Sequence, residues 1–127
     1  MTETSLQTTT QILEKISPVA IAEITDTAIA NHLRHTQKIA EIAVLAEQDA
    51  KVIETCESLG IIINEEELQA AGDAFRLKHR LLSSSETLAW LERQRINAED
   101  WTEGIRIQLL TQKLKDYLFA DSIDSHY

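Results

Sequence analysis

Several side chains in this 127-residue chain have types and spacings that could do chemistry. His32 and His35 stand at i, i+3, a spacing that on a helix can turn two imidazoles toward one metal. No Cys or carboxylate pair nearby completes such a site, so the competing reading is two partly exposed helix histidines, and no metal or other cofactor is expected. Asp49 interrupts an apolar helix face. A carboxylate there must be paired, hydrogen-bonded or protonated. It is a candidate general acid or base, with a neighbouring His or Tyr, or else a structural carboxylate bonded to Arg106, Gln108, Gln112 or an indole N–H. Cys56 lies on the same apolar face with no cation one turn away to lower its pKa, which reads as a small core residue rather than a nucleophile.

A second set of residues suits binding. The run Arg76-Leu77-Lys78-His79-Arg80 can receive a carboxylate or an acidic peptide segment, or can complement the negative end of a helix. Arg93 and Arg95 extend this cationic stretch, so that residues 76–95 hold five basic residues and two acidic ones in a chain of net charge −9. Trp90 and Trp101 either anchor the core or line a cleft for peptide side chains.

These groups need helices to position them. Gly (3) and Pro (1) are scarce and helix formers plentiful, which favours helix over strand. Three helix starts are written between Leu59 and Leu114: Asn64 with Glu67, Ser83 with Glu86, and Asn97 with Asp100. In each, a side-chain oxygen can accept an orphan N–H of the first turn and the acid three residues on can reach back, best when it is Glu. The pattern predicts helices from about Thr25 or Asp26 to His35, then over 36–59 with a sharp end at Gly60, and over 65–79, 84–94 and 98–119. Ile61-Ile62-Ile63 reads as a buried connector. Residues 11–24 allow a short helix through Ile12, Leu13 and Ile16, with Ser17-Pro18 as a boundary or cap.

The expected architecture is therefore all-α, a single compact domain of about five helices over 25–119. An N-terminal arm (1–24) and a frayed tail (120–127) flank it. The 36–59 helix serves as spine, with 98–119 packed along it. Ile42, Leu45, Ile53, Leu59, Phe75, Leu91, Trp101, Ile105 and Leu109 are the expected core. The length suits one domain. The negative charge argues against nucleic acid. No stretch has the roughly 20 apolar residues that span a bilayer. The first twenty residues lack the pattern of a signal peptide, so the cytoplasm is the expected location.

A helix ending in "LGI", the acidic "EEELQAAGDAF", the basic "RLKHRLLSSSETLAWLERQRI" and "NAEDWTEGIRIQLLTQKL" together resemble the N-terminal domain of SurA-type chaperones. The pattern is shared with parvulin-type peptidyl-prolyl isomerases associated with peptide maturation and secretion, and covers roughly residues 25–119. The resemblance implies a helical domain that binds or shelters extended polypeptide while a separate parvulin domain isomerises proline. The sequence stops at Tyr127 with no such domain, so isomerase activity is not carried over.

Two functional classes follow. The first is a non-enzymatic peptide- or protein-binding module, chaperone-like or presenting substrate to a peptide-modifying partner enzyme. Its surface would lie between the 84–94 and 98–119 helices, near Trp90 and Trp101, with Arg76, Lys78, Arg80, Arg93 and Arg95 on the rim. The second is a small helical enzyme with an acid/base site around Asp49. The first is favoured, because no set of nucleophile, base and orienting group is visible. A homodimer whose apolar face is only an interface is a further alternative.

Overall fold

Four of the five described helices begin where a side-chain acceptor meets an orphan backbone N–H. A computed structural model describes residues 23–125, with side chains as far as Ala120. The expectations for residues 11–22, for the Thr-rich start and for the last two residues lie outside the described residues. Five helices occur, with no strand among the described residues: α1 (Asp26–His35), α2 (Ile39–Leu59), α3 (Glu65–Lys78), α4 (Ser84–Gln94) and α5 (Ala98–Ser125). The all-α expectation is borne out.

All three expected caps form. Asn64 Oδ1 accepts the Glu67 N–H at 2.8 Å and Glu67 Oε1 accepts the Asn64 N–H at 3.2 Å, a reciprocal capping box. Ser83 Oγ accepts the Glu86 N–H at 3.2 Å, and the Glu86 carboxylate takes the Leu82 N–H at 3.0 Å. Asn97 Oδ1 accepts the Asp100 N–H at 2.7 Å. Thr25 caps α1 in the same way through the Ala28 N–H.

Helix ends follow a second rule. Four helices stop on a residue with positive φ: Gln37 (66°), Gly60 (73°), Arg80 (57°) and Arg95 (57°). In each case the next residue's N–H returns to a carbonyl five residues back, as in Ile61 to Cys56 (2.9 Å) and Leu81 to Arg76 (2.8 Å). Only Gly60 announces this in the sequence. The other three carry a Cβ in a conformation that disfavours it.

The chain divides into two compact units, residues 1–40 and 41–127. In the first, Ile24, Ala28, Ile29, His32 and Leu33 line a small apolar hollow on α1. The rings of His32 and His35 meet edge to face at 5.1 Å. No cluster of three or more His, Cys, Asp or Glu side chains gathers among the described residues.

In the second unit, α3 and α5 are the principal helix pair. This corrects the expectation that α5 packs along α2 as a spine. Among the described residues, α2 meets the core through its C-terminal half, where Cys56 packs with Ile63 and Leu110 and is flanked by Val52, Ile53, Leu109 and Leu114. Ile42 and Leu45, expected inside, are exposed, and so is Leu59. Periodicity marks which face of α2 is apolar, but that face runs on past the structure that covers it. Leu91 and Ile105 are buried as expected. Ile53, Phe75, Trp101 and Leu109 are half-buried. Leu110, Leu81 and Ile63 are buried in their place, and Cys56 is the most deeply buried described side chain. The 61–63 connector alternates faces as extended backbone does, so Ile63 is buried while Ile62 is 73% exposed. α5 continues to Ser125, six residues beyond its expected end.

One cation ties three elements together. Lys113 Nζ on α5 donates to the Ile62 carbonyl at 2.9 Å and reaches the Glu67 carboxylate at 2.7 Å. The Lys113 hydrogen bond first, then the Asn64 N–H, hold the Glu67 carboxyl below its ordinary value. A depressed carboxyl pKa stabilises the fold above the unfolded value of about 4.3, and that stability is lost as pH falls through the folded value. The urea midpoint should therefore fall on acidification below about pH 4.3, and Glu67→Gln should flatten that segment of the profile. An unchanged profile in the variant would refute the assignment.

Candidate functional site

Asp49 does not form the expected site. It is exposed on the uncovered half of α2 and has no hydrogen-bond or ion-pair partner among the described residues. Two of its expected partners are engaged elsewhere, Arg106 with Glu103 at 3.2 Å and Gln112 with Asp116 at 3.0 Å. A carboxylate in water needs no partner, so the reasons for reading it as a buried acid/base or a structural carboxylate both lapse. Cys56 is only 1% exposed, and burial pushes its thiol pKa up. Its Sγ contacts the Leu110 carbonyl at 3.7 Å, as suits a core residue.

The aromatic residues converge on Phe75. Its ring stacks on His79 at 4.2 Å and meets Trp90 and Trp101 edge-on at 5.2 and 5.5 Å. Trp90 and Trp101 are both half-buried. The buried Trp101 Nε1 has no acceptor among the described residues. Gly72 of α3 lies over this indole, where a Cβ would make an ordinary contact at 3.7 Å with Trp101 Cη2.

Two grooves border α3. The first, about 230 Å³, lies between α3 and α5 on Leu68, Gly72, Trp101 and Ile105, with Glu65, Asp73 and Arg76 as its charged residues. The second, about 310 Å³, lies at the turn into α4 on Leu77, Leu81 and Leu82, again with Asp73 and Arg76. The ion-paired Arg76 and Asp73 therefore form a wall common to both. Of the expected site residues, Arg76 lines both grooves and Trp101 one, and neither groove lies between α4 and α5 as expected. Lys78 and Arg80 follow on the α3 end, and Arg93 and Arg95 stand at the end of α4, all four exposed. Lys78, Arg80 and Arg93 have no acceptor among the described residues, whereas Arg95 is engaged.

Sequence reading missed Leu77 and Leu82, which are 69% and 75% exposed. Their one signal is apolar residues set between cations.

Arg80 has a double character, since it closes α3 at φ 57° and supplies an exposed cation. Replacing it with Gly relieves a left-handed residue of its Cβ. Arg80→Gly should raise stability by about 1 kcal/mol, read as a higher thermal midpoint. A lower midpoint would show that the guanidinium contributes more than the conformation costs.

Compared with known proteins, the chain matches no family model, no curated protein and no solved structure.

Proposed function

We propose that this chain is a non-enzymatic peptide- or protein-binding module. Its ligand is an acidic, amphipathic segment lying along α3 across the two grooves. It would act in a chaperone-like way or present substrate to a partner enzyme in peptide maturation or secretion, as the resemblance to the SurA N-terminal domain implies.

The observation that carries this reading is the shared Arg76–Asp73 wall with apolar residues on both sides of it. Leu68, Trp101 and Ile105 offer apolar contact on one side, and Leu77 and Leu82 on the other. Such surface supplies affinity, while nearby cations choose acidic segments and speed encounter. The groove linings themselves hold Glu65, Asp73 and Arg76, so the cations that would choose an acidic segment are Lys78 and Arg80 at the exposed end of α3. No nucleophile, base and orienting group come together around it, and the proposed role requires none.

The test is titration of a fluorescent acidic amphipathic peptide into the protein. Lys78→Glu with Arg80→Glu should weaken binding about tenfold or more and flatten its salt dependence. Leu77→Ser with Leu82→Ser should weaken it without changing the salt slope. Both pairs are exposed, so circular dichroism should stay helical. Binding indifferent to both pairs would overturn the reading.

A further inference from the structure

We propose that two copies of this chain pair through the outer face of α3, with their α3 helices antiparallel about a twofold axis. The inference goes beyond the peptide-binding reading and rests on a different face of the same helix.

Glu66, Ala70, Ala74 and Lys78 stand four residues apart, and a helix sets such residues in one ridge inclined to its axis. All four are exposed, and none of them lines either groove. The ridge has an acid at one end, a base at the other and two methyl groups between. Turned end for end, it complements itself. With a twofold axis level with Gly72, midway along the ridge, Glu66 of each copy lies opposite Lys78 of the other, and Ala70 opposite Ala74.

The charge of the whole helix follows the same order. Glu65, Glu66 and Glu67 occupy its first turn, and Arg76 and Lys78 its last. Parallel copies would set like charges together, whereas antiparallel copies set opposite charges together. Glu67 is already tied to Lys113 and Asp73 to Arg76 within each copy, so Asp73, the one acid near the axis, is compensated before two copies meet. Glu66 and Lys78 have no partner among the described residues.

The ends of the ridge agree with this register. Ile62 precedes Glu66 by four residues and Leu82 follows Lys78 by four, and the two are 73% and 75% exposed. The same axis sets Ile62 of each copy level with Leu82 of the other. One copy does not join these ends itself, because α3, with its 14 residues, holds them about 21 Å apart. At the centre, alanine methyls let two helix axes approach to about 8 Å. Each end of the ridge finds its complement only in the opposite end of the same ridge, which names a second copy as the occupant, and a contact of this symmetry closes as a dimer.

Sedimentation velocity on the full chain tests this. The unaltered chain should pass from monomer to dimer as its concentration rises. Glu66→Lys and Lys78→Glu should each weaken the dimer about tenfold or more, because each sets like charges opposite one another at both ends. Mixed one to one, the two variants should form a heterodimer, since opposite charges then meet at both ends again. A chain carrying both substitutions should dimerise as the unaltered chain does. A chain that stays monomeric at all concentrations, a dimer indifferent to both reversals, or reversals that neither the mixture nor the double variant restores would overturn the inference. If the acidic peptide binds while the chain stays monomeric, the pairing falls and the peptide-binding reading stands. If the chain dimerises as expected and the peptide does not bind, the pairing stands and the peptide-binding reading falls.

Discussion

Phe75→Ala should cost the protein about 3–5 kcal/mol, toward the lower end because the ring is half-buried. Phe75 is the one side chain that touches all three other rings, at 4.2 Å to His79, 5.2 Å to Trp90 and 5.5 Å to Trp101. Each such pair contributes about 0.5–1.5 kcal/mol beyond the area it buries. Alanine leaves these rings facing a space that solvent fills imperfectly. It also removes a contact shared by three helices, since Phe75 belongs to α3, Trp90 to α4 and Trp101 to α5. Against a typical domain stability of about 5–15 kcal/mol, the loss is severe. Urea denaturation followed by tryptophan emission measures it directly, because both indoles lie against the deleted ring. A loss below about 1 kcal/mol would mean that the rings repack without Phe75.

The helices were legible because their starts are local. Asn64 with Glu67, Ser83 with Glu86 and Asn97 with Asp100 need only the chain within three residues to form. Their ends were less legible. Gly60 marks a left-handed stop, whereas Gln37, Arg80 and Arg95 adopt one because the following residue's N–H finds a carbonyl of the last turn. That compensation is invisible in residue type.

Asp49 illustrates a different limit. A periodic stripe states which face of α2 is apolar, but only tertiary structure states how much of the stripe is covered. Burial was inferred from pattern for Ile42, Leu45 and Asp49 alike, and all three are exposed. The Lys113 clamp was hidden for the opposite reason. A lone lysine on a helix reads as a solvated charge, and its partners Ile62 and Glu67 lie about fifty residues away in sequence. At the candidate site, the basic stretch and both tryptophans could be named from sequence. The role of Arg76 and Asp73 as a wall between two grooves could not, because it depends on how α3 lies against α5 and the turn into α4.

Leu110→Ala tests the attachment of α2 itself. Leu110, Cys56 and Ile63 form the buried cluster through which the C-terminal half of α2 joins the rest of its unit. Truncation should cost about 2–5 kcal/mol, the range for a buried Leu whose cavity only partly collapses. Cys56 offers an independent readout. At 1% exposure its thiol should resist a water-soluble aromatic disulfide reagent until the cluster opens. The variant opens more often, so modification at neutral pH should speed up by about tenfold or more, in line with about 1.4 kcal/mol per decade. Ionisation does not confuse the comparison. Burial raises the folded thiol pKa, so its contribution to stability is fully present below the unfolded value of about 8.5 and is lost only as pH rises through the folded one. Protection of the amides over 52–59 should fall together with the thiol's. If Leu110→Ala lowers the unfolding midpoint while Cys56 stays as unreactive as before, α2 is held by contacts other than this cluster. In that case the exposed half of α2 is not a rigid extension of a fixed helix.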